Sequence, residues 1–150
     1  PRLATPDDSD EVARLLDDFN NEFDTSTPGV EFLARRLRDL LSTESTFAIV
    51  AGSPAVAIAL VTLRPNVWYD GPVALLDELY VVPHRRGHGI GTAVIQRLVV
   101  LAREREVCLI EINVDEADVD AQRFYERHGF SLADPDTGER AYYVSRELES

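Results

Sequence analysis

The chain has 150 residues, of which 45% are hydrophobic, and a formal net charge of −12. That length suits one domain over residues 1–150 with a core of its own. The acidic balance excludes a nucleic-acid partner, no apolar run nears the ~20 residues that cross a bilayer, and residues 1–6 are too polar for a signal peptide, so a soluble cytoplasmic protein is expected.

Residues 2–4 can start a strand. Thr5, Pro6, Asp7 and Asp8 then read as a helix start, with Thr5 as cap, proline in the first turn and carboxylates at the positive end. Val12, Leu15, Leu16, Phe19 and Phe23 recur at helical spacing. Thr27-Pro28 repeats the cap signal, and Phe32, Leu33, Leu37, Leu40 and Leu41 mark a second helix. Residues 46–51 and 55–63 flank a Gly-Ser-Pro turn and predict a hairpin. Residues 64–72 read as a loop, 73–82 as a strand and 90–104 as a helix with Ile90, Val94, Leu98 and Leu101 on one stripe. A strand over 107–114, a short helix to His128, and closing strands over 130–133 and 140–147 complete the order β-α-α-β-β-β-α-β-α-β-β. The fold class is α/β, a mixed and mostly antiparallel sheet flanked by helices.

Between strand 73–82 and helix 90–104 lies His84-Arg85-Arg86-Gly87-His88-Gly89-Ile90-Gly91-Thr92. A glycine-rich bend that opens a helix gathers backbone N–H groups at the helix's positive end, which is a seat for phosphate. The Lys-Ser/Thr of a nucleotide P-loop is missing, and so is the third glycine of a Rossmann fingerprint. The glycines fit Arg-x-x-Gly-x-Gly, as Arg86, Gly89 and Gly91. A second patch, Ala121-Gln122-Arg123-Phe124-Tyr125-Glu126-Arg127-His128-Gly129-Phe130, follows downstream.

Together these patches resemble the GCN5-related N-acetyltransferases over residues 73–131. The resemblance implies an acetyl-CoA-dependent enzyme of the same fold that acetylates a primary amine by direct attack in a ternary complex. It is similar to the small-amine acetyltransferases around residues 76–91. A peptide or protein acetyltransferase and a non-catalytic acyl-CoA-binding module stand as alternatives. A homodimer is common in the family, and no metal is expected.

Carried over residue by residue, the resemblance gives the diphosphate of acetyl-CoA to Arg86, Gly87, His88, Gly89, Ile90, Gly91 and Thr92. It lays the pantetheine arm along the main chain of Leu79, Tyr80, Val81 and Val82. Asp118, which stands where the family often has asparagine, and Ala121 are further cofactor contacts. Tyr125 matches the family's general acid. An alkylammonium of pKa ~10.4 must lose a proton before it attacks, so a base is useful; Glu78 is the first candidate and Asp77 the second. Strand alternation puts these two on opposite faces. The acceptor site is expected at Phe19, Glu22, Phe23, Trp68 and Asn113. The single Cys108 is expected to be buried in its strand, which disfavours an acyl-cysteine route.

Overall fold

The computed structural model describes residues 1–149, which divide into two compact units, Pro1–Ile112 and the chain from Asn113 on. The first unit contains β1 (Arg2–Leu3), α1 (Ser9–Glu22), α2 (Val30–Leu40), β2 (Thr46–Ala51), β3 (Ala57–Arg64), β4 (Val73–Val81), α3 (Ile90–Glu104) and β5 (Leu109–Ile112). The strands form one sheet in the order β1-β2-β3-β4-β5; every pair is antiparallel except β4–β5, which is parallel.

Every residue of β2 is buried, because both faces of the sheet are covered. Ala48 and Val50 of β2 and Ile58 of β3 pack in one cluster with Val12, Leu15, Leu16, Ala34 and Leu37 of α1 and α2. Side chains alternate along a strand, so Phe47 and Ile49 turn to the opposite face. There α3 lies against β2, β3 and β4 and buries Val94, Leu98 and Leu101 of the predicted stripe together with Ile95, while Ile90 is half-buried. Full burial of a side chain such as Ile49 or Ile58 contributes about 1.5–3 kcal/mol.

The predicted first cap forms. Residues Pro6–Asp8 make one 3₁₀ turn, and the Thr5 N–H donates to Asp8 Oδ2 at 2.8 Å. Two hydrogen bonds from Arg2, at 2.7 and 2.9 Å, and the Thr5 amide hold the Asp8 carboxyl down to about 2. The second cap differs from its prediction. Gly29 precedes α2 with φ +97°, while the Thr27 hydroxyl donates to Asp17 Oδ1 at 2.8 Å and accepts the Gly29 N–H at 3.2 Å. Threonine here ties the turn back to α1 instead of starting α2.

The second unit contains α4 (Val119–Arg127), capped by Asp118, whose Oδ1 accepts the Ala121 N–H at 3.0 Å. The two closing strands are not formed among the described residues. In their place Asp134 N–H donates to Glu139 O and Gly138 N–H to Asp134 O, each at 2.8 Å, closing a turn. Tyr142, Tyr143, Val144 and Leu148 are all at least 74% exposed. Strand-forming composition makes a strand only with a partner ladder and a surface to cover, and this unit supplies neither for residues 140–148. Among the described residues no helix is long and apolar enough to cross a membrane.

Candidate active site

β4 has two different edges. One pairs with β3 along its length, from Arg64↔Val73 to Ala57↔Val81. The other pairs with β5 only from Val73↔Leu109 to Leu76↔Ile112. Past Leu76 no strand pairs with that edge among the described residues, so from Asp77 to Val81 it lacks a ladder partner, and Val81 O accepts from the Arg86 side chain instead. At ~3.3 Å per residue this is a strip of about 13 Å. It includes Leu79, Tyr80 and Val81, three of the four residues expected along the cofactor arm; the N–H of the fourth, Val82, donates to Val56 O at 2.9 Å on the β3 side.

The change in pairing coincides with a bulge. Leu60 faces Glu78 and Val61 faces Leu76, so the register skips Asp77. Simple alternation therefore breaks at the two candidate bases, and the expectation that they take opposite faces does not carry across this point. Asp77 is exposed, and its Oδ2 accepts the Thr62 hydroxyl. Glu78 is half-buried; burial, and then the charge of Asp77, push its carboxyl above the ordinary value. A carboxylate so raised is a stronger base once ionised.

After β4 comes a 3₁₀ turn, Pro83–Arg85, and then the glycine bend. Gly87 and Gly89 have φ +77° and +80°, a region that disfavours any side chain, and a Cβ on either would meet no atom within 4 Å. The glycines thus leave empty space in front of the main chain instead of relieving a clash inside the protein. Gly89 caps α3, so the N–H groups of Ile90 and Gly91 have no carbonyl four residues back within the helix. Open space, amides and a helix's positive end in one place fit a diphosphate.

Arg86 is engaged within the protein. Its Nε–H donates to Val81 O at 2.9 Å, and its Nη1 and Nη2 donate to Glu22 Oε2 and Oε1, both at 2.9 Å. The guanidinium also lies over the Tyr80 ring, 5.5 Å from its centroid, and the Tyr80 hydroxyl donates to Glu22 Oε1 at 3.3 Å. Burial and then the neighbouring Glu22 raise the Tyr80 phenol. Glu22 accordingly uses both carboxylate oxygens on the loop and β4 and is not an open counter-charge for an amine. The exposed Arg85 is the loop's other guanidinium.

The remaining acceptor candidates scatter. Phe19 stacks on Tyr80 at 4.9 Å between centroids and packs against the core. Phe23 touches Phe19 edge-on at 5.4 Å and is 56% exposed at the end of α1. Trp68 precedes β4 and so lies at the opposite end of that strand from the glycine bend. It lines a depression of about 470 Å³ with Tyr69, Asp70, Gly71, Glu106 and Cys108. Cys108 is exposed, not buried as expected, and lies one residue before β5. Its distance from the bend, not burial, separates it from the cofactor end of β4.

In the second unit, Asn113 is exposed just after β5. Asp118 spends one oxygen on the N–H of Ala121, the other residue of this unit expected to contact the cofactor. Tyr125 is buried, with Phe124 and Phe130 edge-on at 5.2 and 5.5 Å.

The profile of the acetyltransferase (GNAT) family matches residues 10–130. An uncharacterized N-acetyltransferase of Archaeoglobus fulgidus is 31% identical over 135 residues, covering 82% of this chain and 90% of that relative. The crystal structure of a "putative acetyltransferase" from Arthrobacter sp. FB24 superposes with a TM-score of 0.93 at 51% identity, covering 99% of this chain and 95% of that one. The aminoglycoside N-acetyltransferase AAC(6')-Iy in complex with CoA has the same fold, with a TM-score of 0.78 at 14% identity over 98% of this chain and 93% of its own.

Proposed function

Because the chain belongs to the acetyltransferase (GNAT) family, we propose that residues 1–150 act as one catalytic domain that acetylates a primary amine of a small molecule from acetyl-CoA, by direct attack in a ternary complex. The observation that carries this reading is the open edge of β4. It runs from Asp77 toward the bend at Gly87 and Gly89, so that a strip of main-chain partners leads from a raised carboxyl to an anion seat.

Acetyl-CoA, when bound, supplies an activated acyl thioester. The N–H groups of residues 87–91 hold its diphosphate, and the β4 edge pairs with the amides of its arm. Glu78 takes the proton that the ammonium form of the acceptor must lose, directly or through one water, and leaves a lone pair on nitrogen. Nitrogen would form the new C–N bond as the C–S bond breaks, and would release its second proton to solvent. Tyr125 donates its phenolic proton to the departing sulfur and is reprotonated from solvent. Cys108, exposed at the far end of the sheet, forms no acyl intermediate.

The acidic surface supports a cationic acceptor, since long-range attraction concentrates amines. AAC(6')-Iy is named for aminoglycosides, which are small polyamines, and that too supports the small-amine reading. The test is thiol release from acetyl-CoA with a panel of polyamines, aminoglycosides, amino acids and peptides. Turnover with small amines is expected. Turnover with peptides alone would replace the acceptor assignment, and CoA binding without turnover on any acceptor would leave a binding module.

A further inference from the structure

Binding of CoA at residues 87–91, as proposed above, puts a ligand with several negative charges on a chain of net charge −12. Long-range repulsion opposes that encounter, so the seat depends on cations close by. Residues 79–103 hold none of the chain's 27 acidic residues. At the bend itself the basic side chains are His84, Arg85, Arg86 and His88.

Arg86 adds no net charge there. Both oxygens of Glu22, at the end of α1, accept from its guanidinium at 2.9 Å, and its Nε–H donates to Val81 O. Such a pair presents a cation and an anion together, and their fields largely cancel at a third group. Arg85 is the fixed cation left in the stretch 84–92. The two histidines are the remaining source of positive charge, and imidazole is the side chain that ordinarily changes charge between pH 5 and 8.

The histidines are placed differently. His84 lies in the 3₁₀ turn Pro83–Arg85, before the bend. His88 lies between Gly87 and Gly89, whose φ of +77° and +80° open the main chain, and its own N–H is one of those that face the diphosphate. The residue is exposed. Its ring hangs one carbon from the Cα beside that N–H. In every rotamer it therefore stays within the ~8 Å over which exposed charges act at physiological salt. The charged groups nearest in the chain are Arg85 and the Arg86–Glu22 pair, and no acid of the bend competes for an imidazolium.

We propose that His88 is the titratable cation of the anion seat: its imidazole takes a proton from solvent as the diphosphate binds, so that CoA affinity rises as pH falls through the imidazole range. Binding and protonation are linked reciprocally, so each can be read from the other.

The test is calorimetry of CoA binding on the full chain between pH 5.5 and 8, at constant ionic strength and in two buffers of different ionisation heat. The proteins are wild type, His88→Gln, His88→Arg and His84→Gln. CoA carries a phosphate monoester that itself titrates near pH ~6, so the proposal is read from the difference between wild type and His88→Gln, in which that part cancels. Wild type is expected to take up about 0.3 proton more than His88→Gln near pH 6.5, and the ratio of their affinities to rise about threefold from pH 8 to pH 5.5. His88→Arg carries a fixed cation. It is expected to bind more tightly than His88→Gln by a factor that does not change with pH, and to lose the extra proton uptake. His84→Gln is expected to keep the wild-type uptake. Wild-type uptake in His88→Gln, or loss of uptake in His84→Gln instead, overturns the assignment to His88 and leaves the cofactor reading intact. Wild type that binds no CoA overturns the cofactor reading on which the proposal rests.

Discussion

The Thr62 hydroxyl donates to Asp77 Oδ2 across the bulge in β4, so the exposed carboxylate is tethered while its neighbour Glu78 is half-buried. Two adjacent acids thus have distinct environments: one is held by a hydrogen bond, and its charge stands beside the other. That charge adds to burial in raising Glu78. Removing it lets Glu78 ionise at lower pH. In Asp77→Asn the acid limb of kcat/KM is therefore expected to move to lower pH, and a pH–rate profile reads this directly. An unmoved limb would take Glu78 out of the base role.

Glu78→Gln separates activity from stability. Turnover is expected to fall about 100-fold or more, as for loss of a general base. A carboxyl raised in the folded state contributes stability fully below its unfolded value and loses it as pH rises through the folded value. Once ionised above its raised value, wild type holds that half-buried charge and the glutamine variant does not. Glu78→Gln should accordingly melt higher than wild type at pH 7 and lose this advantage near pH 4. Thermal melts at the two pH values decide the matter.

Tyr125→Phe removes the phenolic hydroxyl from a buried ring flanked by Phe124 and Phe130. Turnover should drop about tenfold or more with CoA affinity nearly unchanged. Steady-state kinetics beside calorimetry provide the check, and full turnover in the variant would reassign the acid.

Gly89→Val tests the anion seat. A side chain there meets no protein atom within 4 Å, but φ is +80°, and the added carbons fill the space before the amides. Loss of measurable CoA binding is expected with a stability cost of only about 1–2 kcal/mol for the left-handed residue. Unaltered affinity by calorimetry would contradict the bend as the diphosphate site.

Gly71→Ala provides a contrast, because there a Cβ would lie 2.0 Å from Glu106 O. The main chain must shift, at a cost of about 1–3 kcal/mol. A denaturant midpoint equal to wild type would show that the 65–72 loop yields without strain.

Short-range chemistry was legible in the sequence and long-range pairing was not. Gly87 and Gly89 announce themselves because positive φ and open main chain are properties of a few consecutive residues. Thr5 and Asp8 make their box within one turn. Val94, Leu98 and Leu101 face the sheet as a helical period requires. By contrast, Glu22 and Arg86 meet across 64 residues, and nothing local tells an acid facing solvent from one that holds a guanidinium. The bulge at Asp77 depends on how β3 registers with β4, which alternation within β4 alone does not reveal. Tyr142 to Val144 has the composition of a strand but lacks a ladder. Cys108 fell outside β5 because apolar character extends past the residues that pair.

The position of Trp68 has a practical corollary. It is the chain's only tryptophan, 84% exposed on a loop before β4, across the sheet from the glycine bend. Intrinsic indole fluorescence will therefore report bulk water, with little quenching or spectral displacement as CoA is titrated, and an optical assay needs a reporter engineered near Gly89.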